Sequence, residues 1–163
     1  MVTVCGIEFA PLLIPIERRL QTLAVLYFVL EFMPIGLTCL SILVYLSFTS
    51  FHYITLLYLL WFAYDKQVSY RGGRRSDWIR GWPMWRWFRD YFPISLVKTA
   101  DLDPDKNYIF GVHPHGIMCF GAFCNFATEA NNFSTRFPGL RPYLLTLDQQ
   151  FQLPIHRELF LFS

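Results

Sequence analysis

Tyr108-Ile109-Phe110-Gly111-Val112-His113-Pro114-His115-Gly116-Ile117 places two of the four histidines at the end of an apolar run. Residues 108–112 have the aromatic and β-branched composition of a strand. Pro114 and Gly116 force a tight loop, and residues 117–130 have the polarity and spacing of a helix. The expected local order is therefore strand, loop, helix. A polar turn, Asp101-Leu102-Asp103-Pro104-Asp105-Lys106-Asn107, introduces the strand and lacks the spacing of a calcium loop. Downstream, Asn131-Asn132 and Pro138-Gly139 mark a turn, residues 143–147 read as a second strand, and residues 149–162 as short and partly helical.

Upstream of this stretch the composition changes character. The chain is 54% hydrophobic and only 16% charged, well below the roughly 25% charged of an ordinary soluble domain. Between Leu20 and Tyr64 the only ionisable side chains besides tyrosine and cysteine are Glu31 and His52. A crossing of the hydrocarbon core takes about 20 residues, so residues 20–64 are expected to form two arms of a membrane hairpin, split most evenly near Ser41. Arg18 and Arg19 precede the block, and Lys66, Arg71, Arg74, Arg75 and Arg80 follow it, which places both flanks on the cytosolic side. Residues 1–16 lack the charged start and cleavage site of a secretory signal. Glu31 reads first as a helix-packing residue near the kink at Pro34, and second as a substrate-facing carboxylate.

Residues 69–80 read as a solvated basic turn beside lipid headgroups. Beyond it Trp78, Trp82, Trp85, Phe88 and Phe92 fall on one helical face up to Pro93. Such a face suits a helix lying in the membrane interface, through Trp82, Trp85 and Phe88, or one docked on a neighbouring domain. A net charge of +2 is too small to argue for nucleic acid. The four cysteines, scattered through apolar surroundings, read as reduced thiols.

The two loop histidines admit three chemistries: a base with its neighbour, two metal ligands, or a polar cap. Cys119 and Cys124 do not complete a metal set at the usual spacings, so no metal site is expected. An imidazole titrates near neutrality and can take a proton from an attacking alcohol, while a helix N-terminus near Gly116 would favour a developing oxyanion. A base beside an anion hole suggests acyl transfer.

His113-Pro114-His115-Gly116, preceded by Tyr91-Phe92-Pro93 and Asn107-Tyr108-Ile109 and followed by Gly121-Ala122-Phe123 and Phe137-Pro138-Gly139, resembles the acyl-CoA:mono- and diacylglycerol acyltransferases of the non-MBOAT type. The likeness runs from about Glu8 to Arg157. Ile7-Glu8-Phe9-Ala10-Pro11 and Arg18-Arg19-Leu20-Gln21-Thr22 look most like the monoacylglycerol branch, whereas the histidine loop is also close to the diacylglycerol branch.

The resemblance implies His115 as the base, His113 as the residue that orients the loop, Gly116 at the oxyanion, and Pro114, Tyr91, Phe92 and Pro93 beside substrate. It implies acyl-CoA as co-substrate with no further cofactor, an acylglycerol acceptor, a lipid bilayer as partner, and room for a homo- or hetero-oligomer with related acyltransferases. The implied location is the endoplasmic-reticulum membrane, multi-pass, with the catalytic side cytosolic. A glutamate in a Gly-Gly segment that the family places farther on is absent, so the chain is expected to be the N-terminal half of such an enzyme or a truncated, non-catalytic form. The expected fold is thus a membrane protein of the α+β class, with an N-terminal transmembrane helical hairpin and an incomplete α/β acyltransferase domain. Its expected segments are 1–19 cytosolic, 20–64 hairpin, 65–93 basic and aromatic interface, and 94–163 the start of the acyltransferase domain.

Overall fold

Helix α1, Ile16–Leu30, buries Gln21, Ala24 and Phe28 on a single stripe, the three- and four-residue spacing of one helical face. A computed structural model describes residues 2–4, 7–9, 13–113, 116–154 and 156–162 of the chain. Glu31 continues the α1 stripe and opens a π turn, Glu31–Ile35, that contains Pro34. The turn re-routes the backbone where proline removes a donor. Helix α2, Gly36–Ser47, and helix α3, His52–Asp65, then form an antiparallel pair, and Thr55 Oγ1 donates to the Leu43 carbonyl at 3.0 Å. The bend between them lies at residues 48–51, where the Phe51 N–H is accepted by Thr49 Oγ1 at 3.1 Å, so the reversal falls later than Ser41. A 3₁₀ turn, Lys66–Arg71, follows, and then α4, Asp77–Arg80, and α5, Pro83–Tyr91. Pro83 opens α5 in the first turn, where its missing N–H costs no intrahelical bond.

The core forms where α1 and α5 meet the segment that follows the histidine loop. That segment comprises α6, Phe120–Ala122, and a π turn, Phe123–Ala127. Phe28 lies 5.0 Å from Phe88, 4.7 Å from Phe123 and 5.5 Å from Phe120 by ring centroids. Trp85 meets Phe123 edge-on at 5.3 Å, and its indole N–H donates to the Ile79 carbonyl at 2.7 Å. Trp85 is 1% exposed and Phe88 0%, while Trp82 is half-buried. Trp85 and Phe88 therefore take the docked alternative of the sequence reading, with Phe28 and Ala24 of α1 supplying the apolar surface.

The α+β class and the transmembrane hairpin are both corrected. Among the described residues the only strands are Val2–Val4 and Ile7–Phe9, an antiparallel pair with Val4 opposite Ile7. Residues 107–113 and 141–147 run without strand pairing, because an extended segment needs a neighbour to form a ladder. No helix among the described residues is long and apolar enough to cross a membrane. Helices α2 and α3 have 12 and 14 residues, about 18 and 21 Å of rise against about 30 Å of hydrocarbon. The π turn at Pro34 interrupts the run from α1 into α2.

The basic stretch is also less solvated than composition suggests. Arg80 is buried, and its Nη2 donates to the Phe126 carbonyl at 3.0 Å and lies 3.4 Å from Glu129 Oε1. Arg157 and Arg74 converge on the buried carboxylate of Asp65, Arg157 at 3.0 Å, and Arg74 also reaches Glu158 at 2.8 Å. The last helix is α8, His156–Phe162, preceded by a 3₁₀ turn, Asp148–Phe151, and by the short helix α7, Phe133–Arg136. The Leu161 and Phe162 carbonyls accept from the N–H groups of Arg74 and Ser76, which satisfies part of the helix end. His156 Nδ1 lies 2.8 Å from both the Glu31 carbonyl and Glu31 Oε1, and Nε2 lies 2.6 Å from Gln150 Oε1. Two acceptors at Nδ1 put a proton on that nitrogen. Glu31 is therefore a packing residue in the kink, the first of its two sequence readings. Gly36 permits this approach, since a Cβ there would sit 3.1 Å from Leu153 and 3.3 Å from His156.

Two stability predictions follow from this core. Phe88→Ala should cost about 3–5 kcal/mol and Trp78→Ala, on an exposed ring, no more than about 0.5 kcal/mol, read from urea unfolding midpoints. His156→Ala should cost about 3–5 kcal/mol, because the Glu31 carboxylate then stays buried without its partner. Equal midpoints for Phe88→Ala and Trp78→Ala would mean that α5 does not pack inward.

Candidate functional site

The histidine loop is held at both ends by aromatic contacts. Phe110, before it, lies 5.6 Å from Phe126. After it, Phe120 stacks on Phe92 at 4.7 Å with the rings 24° apart. Phe92 in turn touches Phe88 at 5.5 Å and Tyr91 at 4.9 Å. The structure thus brings Tyr91 and Phe92, adjacent at the end of α5, to the helix that begins just past the loop, while Pro93 stays exposed. Beyond Pro93, the Ile94 carbonyl accepts from Asn131 Nδ2 at 3.2 Å, and that same amide donates to Asn125 Oδ1 at 2.7 Å. Arg89 Nη1 donates to the Ala130 carbonyl at 2.7 Å. These bonds fasten the helical segment after the loop to α5.

Within the loop, His113 is exposed and Gly116 adopts φ +65°, a left-handed conformation that glycine enters without a Cβ penalty. His115 and Pro114 lie outside the described residues. The expected helix over 117–130 is shorter: residues 117–119 precede it, Cys119 has φ 51°, and α6 opens only at Phe120. Gly116 therefore does not sit at a helix N-terminus. The Gly116 carbonyl accepts from the Cys119 thiol at 3.5 Å, so the turn is closed by a local side-chain bond. No three His, Cys, Asp or Glu side chains cluster among the described residues.

Sequence reasoning missed the buried charges around this region. Burial lowers the Arg80 guanidinium from its ordinary value, with the like charge of Arg75 adding to the effect and Glu129 opposing it. Arg74 is raised, first by its bond to Asp65. The available signal was the position of Arg80 between Trp78 and Trp82, on a helix whose neighbours are apolar. Its partner lies 49 positions away, and pattern alone does not reach that far.

Comparison with known proteins settles what this frame is. A family model described as Diacylglycerol acyltransferase matches residues 44–163. The chain belongs to the diacylglycerol acyltransferase family. It is 53% identical over 143 residues to Diacylglycerol O-acyltransferase 2 of Xenopus tropicalis, covering 88% of this chain and 40% of that relative. It is 51% identical over 152 residues to 2-acylglycerol O-acyltransferase 1 of Bos taurus, covering 93% and 45%. The Homo sapiens Diacylglycerol O-acyltransferase 2 is 52% identical over 143 residues, covering 88% and 37%. The chain thus spans less than half the length of these relatives. No solved structure matches it. The matched region of the family contains the histidine loop and the whole of α5.

Desolvation pushes the Cys124 thiol up from its ordinary 9.0 to about 12, so Cys124 is an inert core residue and no nucleophile. The folded state holds this proton through the range in which the unfolded chain releases it, so stability should fall as pH rises from about 9 towards about 12. At pH 8.5, iodoacetamide should leave Cys124 unmodified in the native chain and alkylate it in urea, as read by peptide mass mapping. Native labelling of Cys124 at the rate of Cys119 would contradict this burial.

Proposed function

We propose that the whole protein transfers a fatty acyl group from acyl-CoA to a hydroxyl of an acylglycerol, with monoacylglycerol as acceptor and diacylglycerol as product. The observation that carries this reading is the 51–53% identity to relatives named as O-acyltransferases, across the segment that contains His113-Pro114-His115-Gly116. In this reading His115 takes the proton of the acceptor hydroxyl as its oxygen attacks the thioester carbonyl. The tetrahedral oxyanion collapses, the C–S bond breaks, and the imidazolium returns its proton to the departing CoA sulfur. His113 orients the loop, and no cofactor beyond the co-substrate acyl-CoA is needed. Residues of the chain work at the endoplasmic-reticulum surface on its cytosolic side, where acyl-CoA is supplied. The exposed apolar side chains of α2 and α3, among them Leu40, Val44, Leu57 and Leu60, support contact with a lipid surface. Diacylglycerol as acceptor, giving triacylglycerol, is the neighbouring reading within the same chemistry.

A second reading has its own observation. Ile109 is 99% exposed and Leu145 90%, both on extended segments without strand partners, and such edges invite pairing with another chain. In this reading these segments pair with a full-length relative.

The test is to express the chain, and a full-length relative carrying the same loop, in membranes and to measure labelled product from acyl-CoA with mono- and diacylglycerol acceptors. His115→Ala in the full-length protein should lower product formation by about 10²–10⁴-fold. Undiminished product from that variant would sink the base assignment. Turnover by the 163-residue chain alone would sink the second reading.

A further inference from the structure

A recess of about 360 Å³ opens between the 3₁₀ turn Lys66–Arg71, the extended segment 143–146 and α8, within the roughly 300–1,000 Å³ range of small-molecule sites. Its inner wall is apolar, formed by Phe123, Ala127, Leu144, Phe160 and Leu161. Phe123 and Ala127 belong to the helical segment that starts just past the histidine loop, so the wall is continuous with that loop along the chain. At the rim the chemistry changes. Among the described residues bordering the recess, Asp148 is the one with a charged side chain. Its Oδ1 accepts from the Tyr70 hydroxyl at 2.8 Å, and its Oδ2 accepts from Gln152 Nε2 at 2.8 Å. Each carboxylate oxygen retains a lone pair for a further donor.

We infer that this recess binds the acyl chain of a neutral, hydroxylated single-chain lipid, an acylglycerol, with its head group at the Tyr70–Asp148 pair. The choice of acylglycerol among such lipids rests on the acyltransferase reading above. An apolar wall removes the chain from water, and a fixed carboxylate accepts from head-group hydroxyls while opposing a fatty-acid carboxylate or the phosphates of CoA. The recess is thereby the acceptor's place and excludes the donor's anionic portion. Tyr70 is raised by its bond to Asp148 and by that residue's charge, so the phenol remains protonated and holds the carboxylate in position at neutral pH.

The experiment uses the 163-residue chain in detergent micelles with a monoacylglycerol that carries a diazirine at the end of its acyl chain. Photolabel should fall on peptides containing Phe123, Leu144 or Phe160. Unlabelled monooleoylglycerol should compete about tenfold better than oleate, the effect of one opposing charge at a partly solvated rim. Thr146→Trp, an indole placed in the recess from an exposed position, should cut labelling about tenfold, and Asp148→Asn should erase the preference over oleate. Far-UV circular dichroism checks each variant, and Ser69→Trp blocks the opposite rim if Thr146→Trp alters the fold. Label concentrated on α2 and α3, labelling indifferent to both tryptophans, or equal competition by oleate would overturn the inference. If label stays in the recess while the full-length protein transfers no acyl group, the functional reading fails and the recess stands. Transfer with the label elsewhere sinks the recess alone.

Discussion

Everything in this fold leans on Phe28. Its ring touches Phe88 from α5 and Phe120 and Phe123 from the segment after the histidine loop, so one side chain joins three parts of the chain that are far apart in sequence. Aromatic pairs of this kind contribute about 0.5–1.5 kcal/mol each beyond the area they bury. Without Phe28, α5 and the segment after the loop would lose the apolar surface they share, leaving the Phe92–Phe120 stack and the Arg89 and Asn131 bonds to hold them together. The described segments on either side of the histidine loop are thus positioned from beneath, by packing.

Around that apolar centre sit charges that the aromatic core alone cannot hold in register. Asp65 binds Arg74 and Arg157, Glu129 binds Arg80, and Glu31 binds His156. All but the Asp65–Arg74 pair join elements distant in the chain. Buried pairs of this type add little net stability, yet breaking one leaves an uncompensated charge at a cost of about 3–5 kcal/mol. Their effect is to penalise wrong arrangements of α1, α3 and α8 more than to reward the right one.

The sequence pattern reached some of this and stopped at identifiable places. The spacing of Trp85, Phe88 and Phe92 up to Pro93 made α5 and its buried face legible, but not what covers that face, since bilayer and protein look alike to an apolar side chain. Residues 108–112 and 143–147 have strand composition, and composition describes a preference that only a partner strand can realise. The apolar block 20–64 read as a crossing because length and hydropathy were taken over the whole block, whereas Pro34 and the bend at 48–51 divide it into pieces too short to span. The histidine loop stood out in the sequence because its two histidines lie two positions apart. The arginine partners were not, because they lie tens of positions away.

The bond between Glu31 and His156 closes over 125 positions, which bears on how the protein is made. A ribosome adding about 5–20 residues per second adds Glu31 roughly 6–25 s before His156. Throughout that interval the Glu31 carboxylate and carbonyl lack the His156 side chain that pairs with them. The N-terminal helices are therefore assembled in a provisional form during synthesis, and the kink acquires its final geometry only when α8 arrives.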